Sequence, residues 1–255
     1  MSLVIINADD FGYSSGINLG IIQAHEDGIL TSTTMMANMP GFDEGVELAK
    51  KYPKLGIGVH LTLTCGAPLL DDVPSITEND RFRPLSFYEK SFSINVDELY
   101  REWDAQIQKI LQSGIEPTHL DSHHHVNCLP QIKDVFIQLA RKYHLPVRNN
   151  FDVPSDIRTV QKFFIEFDTL GQTKEIWKPM TINNLIQDCK MYKTVEVMCH
   201  PGFIDFTLLK NSSLSENRVY VGNELQVPAY KEIFEKNNIK LGTYHNISNL
   251  VKTRE

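Results

Sequence analysis

The stretch Leu3-Val4-Ile5-Ile6-Asn7-Ala8-Asp9-Asp10-Phe11-Gly12 decides how the rest of the chain is read. Its first half is a continuous apolar run of strand length, bounded by polar residues and glycine, which predicts a buried strand. Its second half sets two adjacent carboxylates at the carboxyl end of that strand, where packing gives no reason for them. Successive strand side chains point to opposite faces, so Asp9 and Asp10 share a site only where the chain leaves the strand. One could then hold a metal ion while its neighbour stays a base. Capping of the next helix by Asp10 or Ser14 is the competing reading, and it explains one residue of the set rather than both carboxylates.

Outward from this strand the pattern alternates. Strand-like runs fall at 31–39, 55–63, 117–121, 146–149, 195–199 and 239–244, and helix-like stretches at roughly 15–27, 42–51, 96–112, 130–143, 182–191 and 228–237. Repeated βα units imply a parallel sheet or barrel, because right-handed crossovers place a helix between parallel strands. A chain of 255 residues suits one α/β barrel, and no linker or repeat interrupts it, so a single domain over 1–255 is expected. Two long segments, 64–95 and 201–227, exceed ordinary loop lengths and read as walls of a substrate site.

The reactive residues follow the same alternation. Asp9 and Asp10 end the first strand, His60 lies late in the third, and the cluster Thr118-His119-Leu120-Asp121-Ser122-His123-His124-His125 ends the fourth. Arg148 ends the fifth, Cys199-His200-Pro201-Gly202 the sixth, and Tyr244-His245 the last. Functional side chains of parallel α/β folds gather at these strand ends. Imidazoles bind transition metals and titrate near neutral pH, so the histidine cluster predicts a metal site. His25 and His144 fall in helix-like stretches and read as ordinary surface residues.

Composition narrows the class. The net charge of −7, from 25 basic and 32 acidic residues, argues against a broad nucleic-acid surface. No apolar stretch approaches the roughly 20 residues of a membrane span, and the start of the chain lacks the features of a secretory signal. Cys65, Cys128, Cys189 and Cys199 are widely spaced, without a Cys-x-x-Cys pair, and read as reduced thiols of a cytoplasmic protein.

Four motifs together resemble the YdjC-like carbohydrate deacetylases: Asn7-Ala8-Asp9-Asp10-Phe11-Gly12, Gly58-Val59-His60-Leu61-Thr62-Leu63-Thr64, the 117–126 histidine stretch and Cys199-His200-Pro201-Gly202. They run in the family's order from residue 3 to about 245. The resemblance implies a distorted parallel (β/α) barrel and one divalent metal. It also implies removal of an N-acetyl group from an amino sugar or short chitooligosaccharide, in some members as a 6-phosphate. By motif position it makes His60 and His123 metal ligands, with Asp10 completing the set and His124 and His125 facing the substrate. It brings Mg2+ as the ion, whereas nitrogen ligands favour Zn2+ and its neighbours.

Within that reading, Asp9 is the candidate general base and His200 the candidate acid for the leaving amine, or else a substrate contact. Asp121 could orient a ligand histidine. Arg148 could bind substrate through a sugar phosphate or pair with a site carboxylate, and His119 and His245 receive no role. Three rivals stand: a metal-dependent phosphoesterase with several ions, a metal-free glycosidase and a sugar- or metal-binding protein without turnover. The glycosidase leaves the histidines idle. A homodimer would be common for such an enzyme.

Overall fold

The computed structural model describes residues 1–169 and 180–249, so the 170–179 and 250–255 parts of the expected single domain lie outside the described residues. β1 (Ser2–Phe11) is buried along its whole length, as its apolar run predicts. It is followed by α1 (Ser15–Glu26), β2 (Ser32–Met35), α2 (Phe42–Lys51), β3 (Gly56–Leu61), the short strands β4 (Thr77–Glu78) and β5 (Arg81–Phe82), and α3 (Leu85–Tyr88). Next come α4 (Val96–Gln112), β6 (Leu120–Ser122), α5 (Pro130–Tyr143), β7 (Lys162–Phe164), α6 (Glu166–Thr169), α7 (Met180–Met191) and β8 (Thr194–Cys199). The last elements are α8 (Phe206–Asn211), α9 (Glu216–Leu225), α10 (Ala229–Lys236) and β9 (Ile239–Leu241).

Parallel strands pair in the order β6-β3-β2-β1-β8-β7, and β9 pairs with residues 2–4 of β1. One edge of β1 therefore serves two strands in turn, β9 near its start and β2 near its end. The sheet curls until Val147 bridges both Leu120 and Thr159, which joins the β6 edge to the segment leading into β7. The barrel is thus distorted, closed by isolated bridges where a strand at 146–149 was expected. Pro146 has no N–H to donate to a ladder, so that run keeps only one bridged residue.

Strand periodicity sorts the side chains into two layers. Val4, Ile6 and Ala8 of β1 belong to the large core beneath the helices, with Ile57, Val59 and Leu61 of β3 and Val195 and Val197 of β8. The alternate residues point into the barrel. Leu3 and Ile5 form a small separate cluster there with Val160, Tyr244 and Ile247. Above it, Asn7, Asp9, His60, Asp121 and Glu196 continue the same inward positions and are all buried. The upper barrel is therefore polar and charged rather than filled by branched apolar side chains, and this is what prepares a site.

Helix boundaries follow local chemistry. Ser14 accepts from the Ile17 N–H and caps α1, which leaves Asp10 free of that duty. Pro130 opens α5 at its first turn, where a missing N–H costs nothing. Gly114, at φ 86°, follows the last turn of α4 in a left-handed conformation. The segments 64–95 and 201–227 hold β4, β5 and α3, and α8 and α9, respectively. Among the described residues no helix is long and apolar enough to cross a membrane.

Gly58 faces the barrel interior, where the His119 ring stacks on Tyr244 with centroids 3.9 Å apart. A Cβ at Gly58 would stand 2.4 Å from His119 Cε1. Gly58→Ala is therefore expected to destabilise the fold by about 1–3 kcal/mol through overpacking, read as a lowered Tm in thermal denaturation. An unchanged Tm would show that the His119 ring has room to move.

Candidate active site

The adjacent carboxylates reach one site through a backbone irregularity. The pairing of β1 with β2 shifts register between Ala8 and Phe11, and Asp10 adopts φ 73°. A left-handed, non-glycine residue at a bulge is uncommon and re-aims its side chain. Asp9 keeps its inward strand position while Asp10 turns toward the mouth of the barrel. His124 and His125 repeat the device at φ 55° and 53°, in a tight turn directly after β6.

At the mouth, Asp10 Oδ1 lies 3.0 Å from His123 Nδ1 and 3.4 Å from His60 Nε2. Both are ion-pair contacts, and the buried Oδ1 makes no well-aligned hydrogen bond among the described residues. The other imidazole nitrogen of His60, Nδ1, stands 2.7 Å from Asp121 Oδ1. Thr34 Oγ1 donates to the second Asp121 oxygen at 3.1 Å. A carboxylate on Nδ1 fixes the ring so that Nε2 faces Asp10, the usual support for a metal-binding histidine. Burial opposes a charge on His60, yet Asp121, Asp10 and Asp9 around it push its pKa up to about 10. Burial also opposes ionisation of Asp10, but Arg218 and His123 beside it hold the carboxyl well below the ordinary range.

Below this trio lies Arg148, fully buried. Its guanidinium grips Asp9 through two bonds, of 2.8 and 2.6 Å, and also reaches Asp121 at 2.9 Å and Glu196 at 2.9 Å. Tyr244 donates to the second Glu196 oxygen. The substrate-binding role expected for Arg148 is thus corrected: its donors are consumed by carboxylates inside the barrel, and no part of it reaches the surface. Of its alternatives, pairing with a site carboxylate is the one realised.

Among the described residues, three groups of acidic and imidazole side chains have metal-binding proximity: Asp10-His60-His123, Asp9-His60-Asp121 and His119-Asp121-Glu196. Arg148 already pairs with the carboxylates of the second and third. The first alone combines an unpartnered carboxylate oxygen with two converging imidazoles, so it is the group that fits a divalent cation. Zinc and its neighbours match such a nitrogen-rich set better than magnesium does.

A cavity of about 460 Å³ opens over this group, bounded by Tyr13, Thr64, Cys65, Met198 and the 211–214 loop. His124 Nδ1 meets Thr64 Oγ1 at 2.8 Å, and His125 Nδ1 meets the Asn150 amide at 3.1 Å. Both rings line the cavity, as does His200, whose Nε2 is 3.8 Å from Asp9 Oδ2. His119 lies apart, stacked on Tyr244, and burial lowers its pKa to about 3. His144 is an exposed helix cap, and the half-buried His25 bonds the Leu30 carbonyl.

Sequence reading missed Glu196, Tyr13 and Arg218. Glu196 was the detectable one: a carboxylate inside Val195-Glu196-Val197 must find a buried partner. Arg218 sits on α9, whose apolar residues form no regular stripe, so the pattern gave this arginine no role.

The fold and site define a parallel βα-barrel protein with a strand-end site suited to one cation. The chain belongs to the YdjC-like family, whose sequence profile matches residues 3–235. It is 44% identical over 220 residues to the carbohydrate deacetylase of Halalkalibacterium halodurans, covering 85% of this chain and 92% of the relative. The carbohydrate deacetylase of Brevibacillus brevis is 37% identical over 246 residues, 94% of this chain and 98% of that one. A solved Enterococcus faecalis protein, described as a candidate cellobiose-phosphate cleavage protein, superposes with a TM-score of 0.87 at 36% identity, covering 96% and 98% of the two chains. A family 4 carbohydrate esterase from Streptomyces lividans shares the fold at TM-score 0.53 and 10% identity, over 94% and 92%.

Replacing Arg148 by Met leaves three carboxylates facing one another. Removing one partner of a buried charge cluster costs about 3–5 kcal/mol, and the folded pKa values of Asp9 and Glu196, which Arg148 lowers, would rise. A carboxylate whose folded pKa is raised gains relative stability as pH falls through that value. Glu196, already pushed up to about 6 by burial, would lead the effect. Denaturant titration of Arg148→Met is expected to show a deficit that is largest at pH 7 and narrows toward pH 5. A deficit independent of pH would contradict the charge cluster.

Proposed function

We propose that this chain is a metal-dependent carbohydrate deacetylase that hydrolyses the N-acetyl group of an N-acetylated amino sugar or short chitooligosaccharide, including 6-phosphorylated forms. The observation that carries the reading is the buried, unpartnered Asp10 Oδ1 facing His60 Nε2 and His123 Nδ1. The deacetylase relatives supply the substrate class. Asp10, His60 and His123 would hold one divalent ion, Mg2+ by family resemblance or Zn2+ by donor chemistry. When bound, such an ion acts as a Lewis acid and lowers the pKa of water.

The chain's own groups do the rest. Asp9 is the candidate base, at the cavity floor with its orientation fixed by Arg148. Burial would raise its pKa, but Arg148 at hydrogen-bonding distance holds it well down, so Asp9 is ionised and any proton it takes in the reaction is held only transiently. His200, at the cavity wall, is placed to protonate the departing amine. His124 and His125 face the sugar. Asp121 acts through His60, by orienting its ring. Because Arg148 occupies the deeper carboxylates, among the described residues no second acidic group of this cluster is left unpaired for another ion, which argues against the phosphoesterase.

Acetate release from N-acetylglucosamine, its 6-phosphate and di- and tri-N-acetylchitooligosaccharides tests the reading. Activity is expected to vanish on chelation, return with about one ion per chain, and disappear in His123→Ala. Phosphate release without acetate would instead establish the phosphoesterase. Asp9→Asn and His200→Ala should each lower kcat by about 10²–10⁴-fold, the usual range for general acid–base groups. A His200→Ala variant with wild-type kcat and raised KM would reduce that residue to a substrate contact.

A further inference from the structure

Two buried polar atoms of residues that line the cavity lack a hydrogen-bond partner among the described residues, and they are of opposite kind. Asp10 Oδ1 is an acceptor, and Arg218 Nη1 is a donor. Arg218 is 2% exposed, yet it lines the cavity. Its other two nitrogens are fixed: Nε donates to the Leu214 carbonyl at 2.9 Å and Nη2 to Asp10 Oδ2 at 2.6 Å. Gly202 closes over the side chain, since its N–H donates to the Arg218 carbonyl and a Cβ there would stand 3.3 Å from Arg218 Cδ. The guanidinium is thus clamped, permanently charged, and holds both Nη1 N–H groups in reserve. An unpaired charged donor in a buried position is destabilising unless an acceptor arrives.

The place of that donor names the acceptor. Nη1 shares its guanidinium carbon with the nitrogen that bonds Asp10, which keeps it close to that carboxylate and so to the group that faces the cavity. We propose that Arg218 is a catalytic residue that donates Nη1–H to the oxygen of the acyl carbonyl and to the oxyanion that replaces it. The inference rests on the deacetylase reading. As the water oxygen bonds to the carbonyl carbon and its proton passes to Asp9, the C=O π pair moves onto that oxygen. When the pair returns, the C–N bond breaks and the amine takes a proton from His200. Arg218 keeps its own proton throughout. A donor fixed before reaction at the point where charge develops lowers the barrier without reorganisation.

The test compares Arg218→Gln and Arg218→Lys with the wild-type, metal-loaded enzyme on N-acetylglucosamine and its 6-phosphate. Arg218→Gln is expected to lose about 10²–10³-fold in kcat, the range for one oxyanion donor, with KM and bound metal near wild type on both substrates. Arg218→Lys should recover part of the loss. Calorimetric binding of acetate, the product carboxylate, should weaken at least tenfold in Arg218→Gln. Wild-type kcat and acetate affinity would overturn the proposal. So would a loss cured by excess metal, which would reduce Arg218 to its structural bond with Asp10, or a loss confined to the phosphorylated sugar, which would make it a phosphate reader. A wild-type enzyme that releases no acetate from either sugar would instead remove the deacetylase reading beneath it.

Discussion

One guanidinium holds the centre of this barrel together. Arg148 sits where three strands deliver Asp9, Asp121 and Glu196, and without a cation those carboxylates could not share a dry interior. Burial alone would discharge Arg148, and the three acids reverse that preference and hold its pKa well above the ordinary value. The cluster passes its order upward. Asp121 orients His60, Asp9 is fixed at the cavity floor, and Tyr244 closes the lower side through Glu196.

The division of labour between neighbouring aspartates follows from this arrangement. Asp9 points inward by strand parity and is committed to Arg148. Asp10 leaves the strand at positive φ and keeps one oxygen free at the mouth. Two chemically identical residues thus receive different environments from one bulge. Arg218 grips the other Asp10 oxygen, so the left-handed turn at the end of β1 is braced by a helix far along the chain. Backbone strain persists where the surroundings over-determine it, and such positions gather at functional sites.

Much of the fold was legible because the apolar run of β1 and the helical stretches of α2, α4 and α5 obey simple periodicity. The predicted ranges 42–51, 96–112 and 130–143 coincide with those three helices. The expected strand at 146–149 shrank to a bridge because Pro146 removes a donor and Arg148 spends its side chain inward. β7 is three residues long, too short for an alternation to register. Of the site, Asp9, Asp10, His60 and the histidine cluster announced themselves at strand ends. Arg148 was visible but ambiguous, since an arginine at a strand end serves a substrate or a buried acid equally well until burial is known. Glu196 and Arg218 depend on tertiary contacts across 48 and 208 positions, which local pattern does not carry.

Anomalous diffraction from crystals grown with the divalent metal would locate the ion directly. A single peak bounded by Asp10, His60 and His123, with Arg148 still bridging Asp9, Asp121 and Glu196, is the expected result. A peak among Asp9, Asp121 and Glu196 with Arg148 displaced, or two peaks in one barrel, would contradict the separation between a charge-neutralised interior and a single cation site at its mouth.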